Sequence, residues 1–281
     1  MVLRLLAEQA EPREPVLDTA LSRALLLRVA AGELPSTLRL SRPAPAVVFG
    51  KQDAVNPGYP AAAQAARAHG YEAVLRVAGG RAAVFHGQTL ALAHAVADPS
   101  PRKGIHARFA ATAALIESAL RRLGVDARVG EVPGEYCPGS YSVNAGGQRK
   151  LAGIGQRLIA GASYMGGVLV AAESQPVRDV LMPVYAALGL EWEPTTAGAV
   201  AEEAGFALGR DTATASDRTA SDQTTRGSAD GEAAVLRRDP WLVVRDALLD
   251  EYAARYELVE VEPDGDTLAL ARRLMPEHRA T

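Results

Sequence analysis

Three stretches of the 281-residue sequence place reactive or charged side chains beside turns. The first is GEYCPGSYS (134–142), which holds the single cysteine, Cys137. Pro133, Gly134, Pro138 and Gly139 bound it and restrict the loop. A thiol there has two readings: a small buried hydrophobe, or a nucleophile that attacks an electrophilic carbon as its thiolate. The second stretch, SVNAGGQRKLAGIGQR (142–157), carries Lys150, one of three lysines against 27 arginines. Its readings are a solvated hairpin lysine and a compact ammonium donor for a carbonyl or phosphate oxygen. The small residues after it, Ala152 and Gly153, let a ligand or another strand come close. The third is LRVAGGRAAVFH (75–86). Gly79 and Gly80 allow the backbone to turn its N–H groups towards a ligand, Arg76 and Arg81 add positive charge, and His86 closes the stretch. A tight β-turn flanked by two surface arginines is the alternative.

These stretches need elements to hold them. Apolar residues at three- and four-residue spacing predict helices over 16–32, 60–70, 104–124 and 239–256. Asp239 and Pro240 cap and start the last of these. TLRLSRPAPAVVFG (37–50) reads as two extended segments broken by prolines. Strands are expected at 72–77, 82–86, 89–97, 125–129, 140–145, 151–160 and 162–172. Gly146–Gly147 predicts a hairpin turn, and 173–207 reads as mainly helical. Residues 209–232, built mostly of Thr, Ser, Asp, Arg, Gly and Ala, read as a disordered insert. The fold class expected is α+β, with mixed, mostly antiparallel sheets flanked by helices. The organisation expected is a domain over 1–208, the insert, and a C-terminal helix and tail over 233–281 packed on that domain.

Composition narrows the function. Net charge is −3, with 48% hydrophobic residues. Without a basic surplus, nucleic acid is not an expected partner. No apolar run is long enough for a membrane span, and the N-terminus does not read as a signal peptide, so a cytoplasmic protein is expected. One cysteine rules out an internal disulfide and a cysteine-based zinc cluster, and the five histidines show no ligand spacing, so no metal site is expected.

In order and spacing, the helix LDTALSRALL, the segment TLRLSRPAPAVVFGKQD, the turn RVAGGRAAVFH and the block QRKLAGIGQRLIAGASYMGGVLV resemble the lipoate and biotin protein ligase superfamily, in its lipoate A/B branch. The resemblance covers most of residues 15–200. It implies a lipoate-ligase catalytic-domain fold whose sheet, glycine turn and lysine enclose an acyl chain. It also implies attachment of a lipoyl or octanoyl group to a lysine of a lipoyl-domain carrier protein. Carried over by position, Arg76, Gly79, Gly80, Arg81, His86 and Gly153 face the acyl group or a nucleotide, and Lys150 reaches the acyl carbonyl or an acyl-adenylate phosphate.

Two chemistries compete within the branch. Octanoyltransferases take an attached acyl group, from an acyl carrier protein or an octanoylated lipoyl-type protein, with no bound cofactor. Ligases activate the free acid with ATP and Mg. The setting YCPGSYS is similar to the cysteine loop of the amidotransferases, which implies transfer through an acyl-Cys137 enzyme. Arg81 after the glycine pair is similar instead to the acyl-carrier-dependent transferases, and the amidotransferases carry an acidic residue where His86 stands. A non-catalytic acyl- or partner-binding homologue is the third reading, since a fold does not fix a function. Alternation along the strands makes Ala152, Ile154, Val168 and Val170 the candidate walls of the acyl slot.

Overall fold

The computed structural model describes residues 2–6, 12–204 and 239–280. The segment expected to be a disordered insert, 209–232, lies outside the described residues.

In chain order the elements are β1 (Val2–Leu6), α1 (Pro15–Ala30), β2 (Thr37–Ser41), β3 (Ala46–Phe49), α2 (Lys51–Ala54), α3 (Tyr59–Ala68), β4 (Glu72–Leu75), β5 (Ala83–Phe85), β6 (Thr89–Ala97) and α4 (Ile105–Arg122). There follow β7 (Ala127–Val129), β8 (Val143–Ala145), β9 (Arg149–Ile159), β10 (Ala162–Val170), α5 (Ser174–Leu188), α6 (Val200–Glu203), α7 (Pro240–Ala253), β11 (Glu257–Val261) and α8 (Gly265–Leu274).

Among the described residues, eight strands form one sheet in the order β11-β1-β2-β6-β10-β9-β8-β7, and three form a second in the order β4-β3-β5. Of the strand pairs among the described residues, β1/β11, β1/β2 and β3/β4 are parallel and the others antiparallel. This is the mixed, antiparallel-dominated α+β class expected from the sequence.

The β9–β10 hairpin and β6 set the register that matters. Gly155 pairs with Gly166, Gly166 with Ala93, and Ala93 with Arg39. One row along, Gly153, Val168, Ala91 and Ser41 pair in the same way. Register partners point to the same face of a sheet, so two rows, small-residue except at Val168 and Arg39, cross four strands, from β9 to β2. Against the sheet, Trp241, Val244, Leu248 and Tyr252 of α7 join Leu90 and Ile116 in one core, and the Trp241 indole donates to the Thr89 carbonyl at 2.9 Å.

The described part of 173–207 is mainly helical, as expected, but in three pieces: α5 ends at Leu188, where Gly189 takes a left-handed φ of 64°, a 3-10 turn spans Pro194–Thr196, and α6 follows. Two readings change. β1 and β11 pair with each other, and neither was expected to be a strand: each is five residues long and gains its partner only through the fold. The strand expected over 72–77 stops at Leu75, where the chain leaves the small sheet to form the glycine turn.

Candidate active site

The loop 134–142 and the turn 79–81 meet at Cys137. The Arg81 backbone N–H donates to the Cys137 sulfur at 3.2 Å, and the Arg76 guanidinium lies 3.6 Å from the same atom through Nη2. That nitrogen also donates to the Gly79 carbonyl. Among the described residues no carboxylate pairs with Arg76, and its Nε has no hydrogen-bond partner. Burial pushes the Cys137 thiol up, but the charges of Arg76 and Lys150 and the Arg81 N–H outweigh it, so the thiol sits below the ordinary value.

Cys137 is held in an uncommon backbone conformation, with φ 45°. Its N–H donates to the Tyr185 hydroxyl at 2.8 Å, and that hydroxyl donates to the Ala82 carbonyl at 3.0 Å. Tyr185 of α5 therefore ties the cysteine loop to the glycine turn. On the other side, the Cys137 carbonyl accepts from Lys150 Nζ at 2.7 Å.

Lys150 is 1% exposed, so the hairpin does not present it to solvent. Its other two donors go to the Tyr136 carbonyl and to Glu135 Oε1, both at 2.9 Å. An ammonium has three N–H donors, and all three are spent on the cysteine loop. The Glu135 carboxylate also accepts from the N–H groups of Val132 and Gly139 and from the Ser142 hydroxyl. Such a buried pair is held by satisfying every polar atom around it.

Glycines make this meeting possible. Gly80 has φ 115°, and a Cβ there would lie 1.7 Å from Arg76 Nη2 and 3.0 Å from the Cys137 sulfur. A Cβ on Gly50 would lie 1.7 Å from the Gly80 carbonyl oxygen, and one on Gly155 would lie 2.7 Å from that of Gly79. A Cβ on Gly153 would press on the Lys150 side chain at 3.3 Å.

Beside Cys137 a cavity of about 550 Å³ runs over the small-residue rows. Arg76, Gly79, Gly80, Cys137, Lys150 and Gly153 line it, and Phe85, Phe109 and Tyr141 add aromatic wall. On the β2 side Arg39 and Ser41 reach it, with Arg39 paired to Asp18 of α1. Of the walls expected from alternation, Ile154 and Val168 line the cavity, whereas Ala152 and Val170 belong to the hydrophobic cores.

Two expected site residues stand apart. His86 does not line the cavity; its Nδ1 accepts from the Gln88 N–H at 3.2 Å, and burial lowers its pKa to about 4. The Arg81 side chain turns away to the fully buried Asp53, at 3.3 Å, so this residue meets the sulfur through its backbone alone. Glu135, Tyr185, Gly50 and Asp53 were not expected in the site. Glu135 lies two positions before the cysteine but looks like any other acid in the sequence, and Tyr185 lies 48 positions away. Among the described residues no group of three His, Cys, Asp or Glu side chains is placed to hold a metal ion, and no helix is long and apolar enough to cross a membrane.

A lipoate-ligase fold with a cysteine, a lysine and a glycine turn converging on an apolar cavity defines a class, and the model of the lipoyl protein ligase A/B catalytic domain matches residues 14–185. The chain belongs to that family.

Its relatives include proteins named octanoyl-[GcvH]:protein N-octanoyltransferase. That of Geobacillus kaustophilus is 31% identical over 176 residues, 63% of this chain and 62% of the relative. That of Bacillus velezensis is 31% identical over 169 residues, 60% of this chain and 58% of the relative. The matches thus span less than two thirds of these relatives. Among solved structures, lipoate-protein ligase A bound with ATP superposes with a TM-score of 0.68 at 18% identity, covering 99% of this chain and 95% of the other. A bi-partite lipoate protein ligase from Thermoplasma acidophilum gives 0.64 at 17%, covering 98% and 92%. These two share the fold.

Proposed function

We propose that this protein moves an octanoyl group to a lysine of a lipoyl-domain carrier, through a thioester on Cys137. One observation carries the reading: the single cysteine faces an apolar cavity with its sulfur between a guanidinium and a backbone N–H. The names of the relatives supply the substrate class.

The Cys137 thiolate attacks the acyl carbonyl carbon, and the C=O π pair moves onto oxygen. Collapse of that intermediate breaks the bond to the donor atom, which leaves with the bonding pair. When the donor is a lysine nitrogen, it takes a proton from water as it leaves. In the second half the neutral amine of the acceptor lysine attacks the new thioester, the sulfur leaves as thiolate, and the proton of the amine passes to water. Lys150 and Glu135 hold the loop that presents the sulfur, and Gly79 and Gly80 let the turn close over it. Each methylene of the acyl tail seated on the small-residue rows adds about 0.8 kcal/mol of binding.

The transfer needs no nucleotide, whereas a ligase would need ATP and Mg. The test is acceptor acylation, followed by mass, with octanoylated GcvH or an octanoyl carrier thioester as donor and no ATP present. Transfer by the native protein and none by Cys137→Ser supports the reading. Acylation of the acceptor only from free acid with ATP, at equal rate in Cys137→Ser, contradicts it.

A further inference from the structure

Arg76 stands out from the other cations of the site. Lys150 is matched by Glu135, and Arg81 by Asp53. Arg39, across the cavity, is matched by Asp18. Arg76 lines the same cavity with no carboxylate beside it among the described residues, and with its Nε unpartnered. A partly buried guanidinium without a counter-charge is costly. The group able to carry a negative charge that Arg76 contacts is the Cys137 sulfur, 3.6 Å away.

The backbone fixes that approach from both sides. Arg76 Nη2 is anchored on the Gly79 carbonyl, and Gly80 leaves no Cβ between the guanidinium and the sulfur. Cys137 is clamped at its N–H by Tyr185 and at its carbonyl by Lys150.

We propose that Arg76 is the resting counter-ion of a Cys137 thiolate, and that the same guanidinium turns its donors to the acyl oxygen once the sulfur is acylated. The proposal rests on the acyl-enzyme reading for its second half only. Acylation converts the negatively charged sulfur into a neutral thioester and frees Arg76 at that moment. When the acceptor amine attacks, charge develops on the thioester oxygen, and then the sulfur regains it. The guanidinium thus meets each negative charge of the cycle in turn. Lys150, with its donors taken, is in this account a positioning residue.

Among the described residues, the charged and titratable groups packed around Cys137 come from four elements. Arg76 comes from the turn and Lys150 from β9. Glu135 and Tyr136 come from the cysteine's own loop, and Tyr185 from α5. Arg81 contributes its backbone, its side chain being tied to Asp53.

The test is the pH dependence of Cys137 alkylation by iodoacetamide, read as intact mass, on the full chain without any acyl substrate. In the native protein the midpoint falls below that of an ordinary thiol. Arg76→Gln raises it by about one unit or more, so the thiolate fraction near neutral pH drops about tenfold; Arg76→Lys restores part of the shift. Thiolate absorbance near 240 nm in the native protein gives the same midpoint without a variant. An unchanged midpoint in a folded Arg76→Gln protein, or an ordinary midpoint in the native one, overturns the proposal. The two claims fail separately: a shifted midpoint with no octanoyl adduct supports the pairing and removes the transfer reading, whereas an adduct with an unshifted midpoint does the reverse.

Discussion

Lys150 Nζ lies 2.7 Å from the carbonyl oxygen of Cys137, so the buried lysine holds the backbone of the cysteine rather than its sulfur. The same ammonium pairs with Glu135 at 2.9 Å, and both side chains are 1% exposed or less. Removing one member leaves the other charge buried alone. Lys150→Met is therefore expected to destabilise the protein by about 3–5 kcal/mol. Adding Glu135→Gln to that variant should recover part of the loss, because the orphan carboxylate goes. Urea unfolding of the two variants against the native protein measures both; equal stability of all three would contradict the buried-pair account.

The Tyr185 hydroxyl bridges the Cys137 N–H and the Ala82 carbonyl. Tyr185→Phe keeps the ring and leaves that N–H without its acceptor, a penalty of about 1–3 kcal/mol. The loop then populates other conformations, and the transfer rate should fall about tenfold, in kcat more than in KM. Steady-state kinetics with an octanoylated donor checks the split.

Much of this site can be read from residue types, and some of it cannot. Cys137 and Lys150 stand out because each is rare in this chain, and Gly79–Gly80 because a glycine pair permits a turn that other residues resist. Glu135 and Tyr185 carry no such mark. Their importance comes from burial beside a loop, which the long-range folding of β9 and α5 creates. His86 shows the converse: its place in the sequence points to the turn, yet the following turn to Thr89 takes it inward, where its backbone N–H bonds the Thr89 hydroxyl at 3.0 Å. Alternation found Ile154 and Val168 but also named Ala152 and Val170, because period-two patterning does not set the register between strands: Val168 pairs with Gly153, which puts Ala152 and Ile154 on the other face from Val168 and Val170.

Gly50 has no group of its own to offer, yet a Cβ there would strike the Gly80 carbonyl oxygen at 1.7 Å. The backbone at Gly80 must then retreat, carrying the Arg81 N–H away from the Cys137 sulfur. A displacement near 1 Å costs about 100-fold in rate. Gly50→Ala is expected to lose transfer activity by roughly that factor and to slow Cys137 alkylation. Activity within twofold of native would show that the turn adapts.

The small-residue rows make a length test possible. Ala93 pairs with Gly166 and Arg39 in the middle of the cavity floor. Ala93→Leu should fill the slot and displace the distal methylenes, each about 0.8 kcal/mol. Octanoyl donors should lose at least about tenfold in kcat/KM relative to butanoyl donors. Parallel assays of the two chain lengths decide it; an unchanged ratio would place the acyl tail elsewhere.

Burial lowers the pKa of three histidines, His86, His94 and His278, and each makes the fold less stable in acid. For His86 and His94 it falls to about 4, from an ordinary 6.5. The unfolded chain takes up protons below pH ~6.5 that the folded one refuses, so the stability present above that pH is lost as pH falls towards ~4, by up to roughly 3 kcal/mol for each. His94 packs edge-on to Tyr252, with ring centroids 5.6 Å apart. His94→Phe should flatten the fall in melting temperature between pH 7 and pH 4.5; a slope equal to that of the native protein would contradict the assignment.

The central claim is that the acyl group rests on the Cys137 sulfur between donor and acceptor. Mixing the protein with octanoylated GcvH in the absence of acceptor, and recording its intact mass followed by peptide mapping, tests that claim directly. The account predicts one octanoyl group on Cys137, discharged when a lipoyl-domain acceptor is added and absent in Cys137→Ser. Full transfer to the acceptor by Cys137→Ser would contradict it.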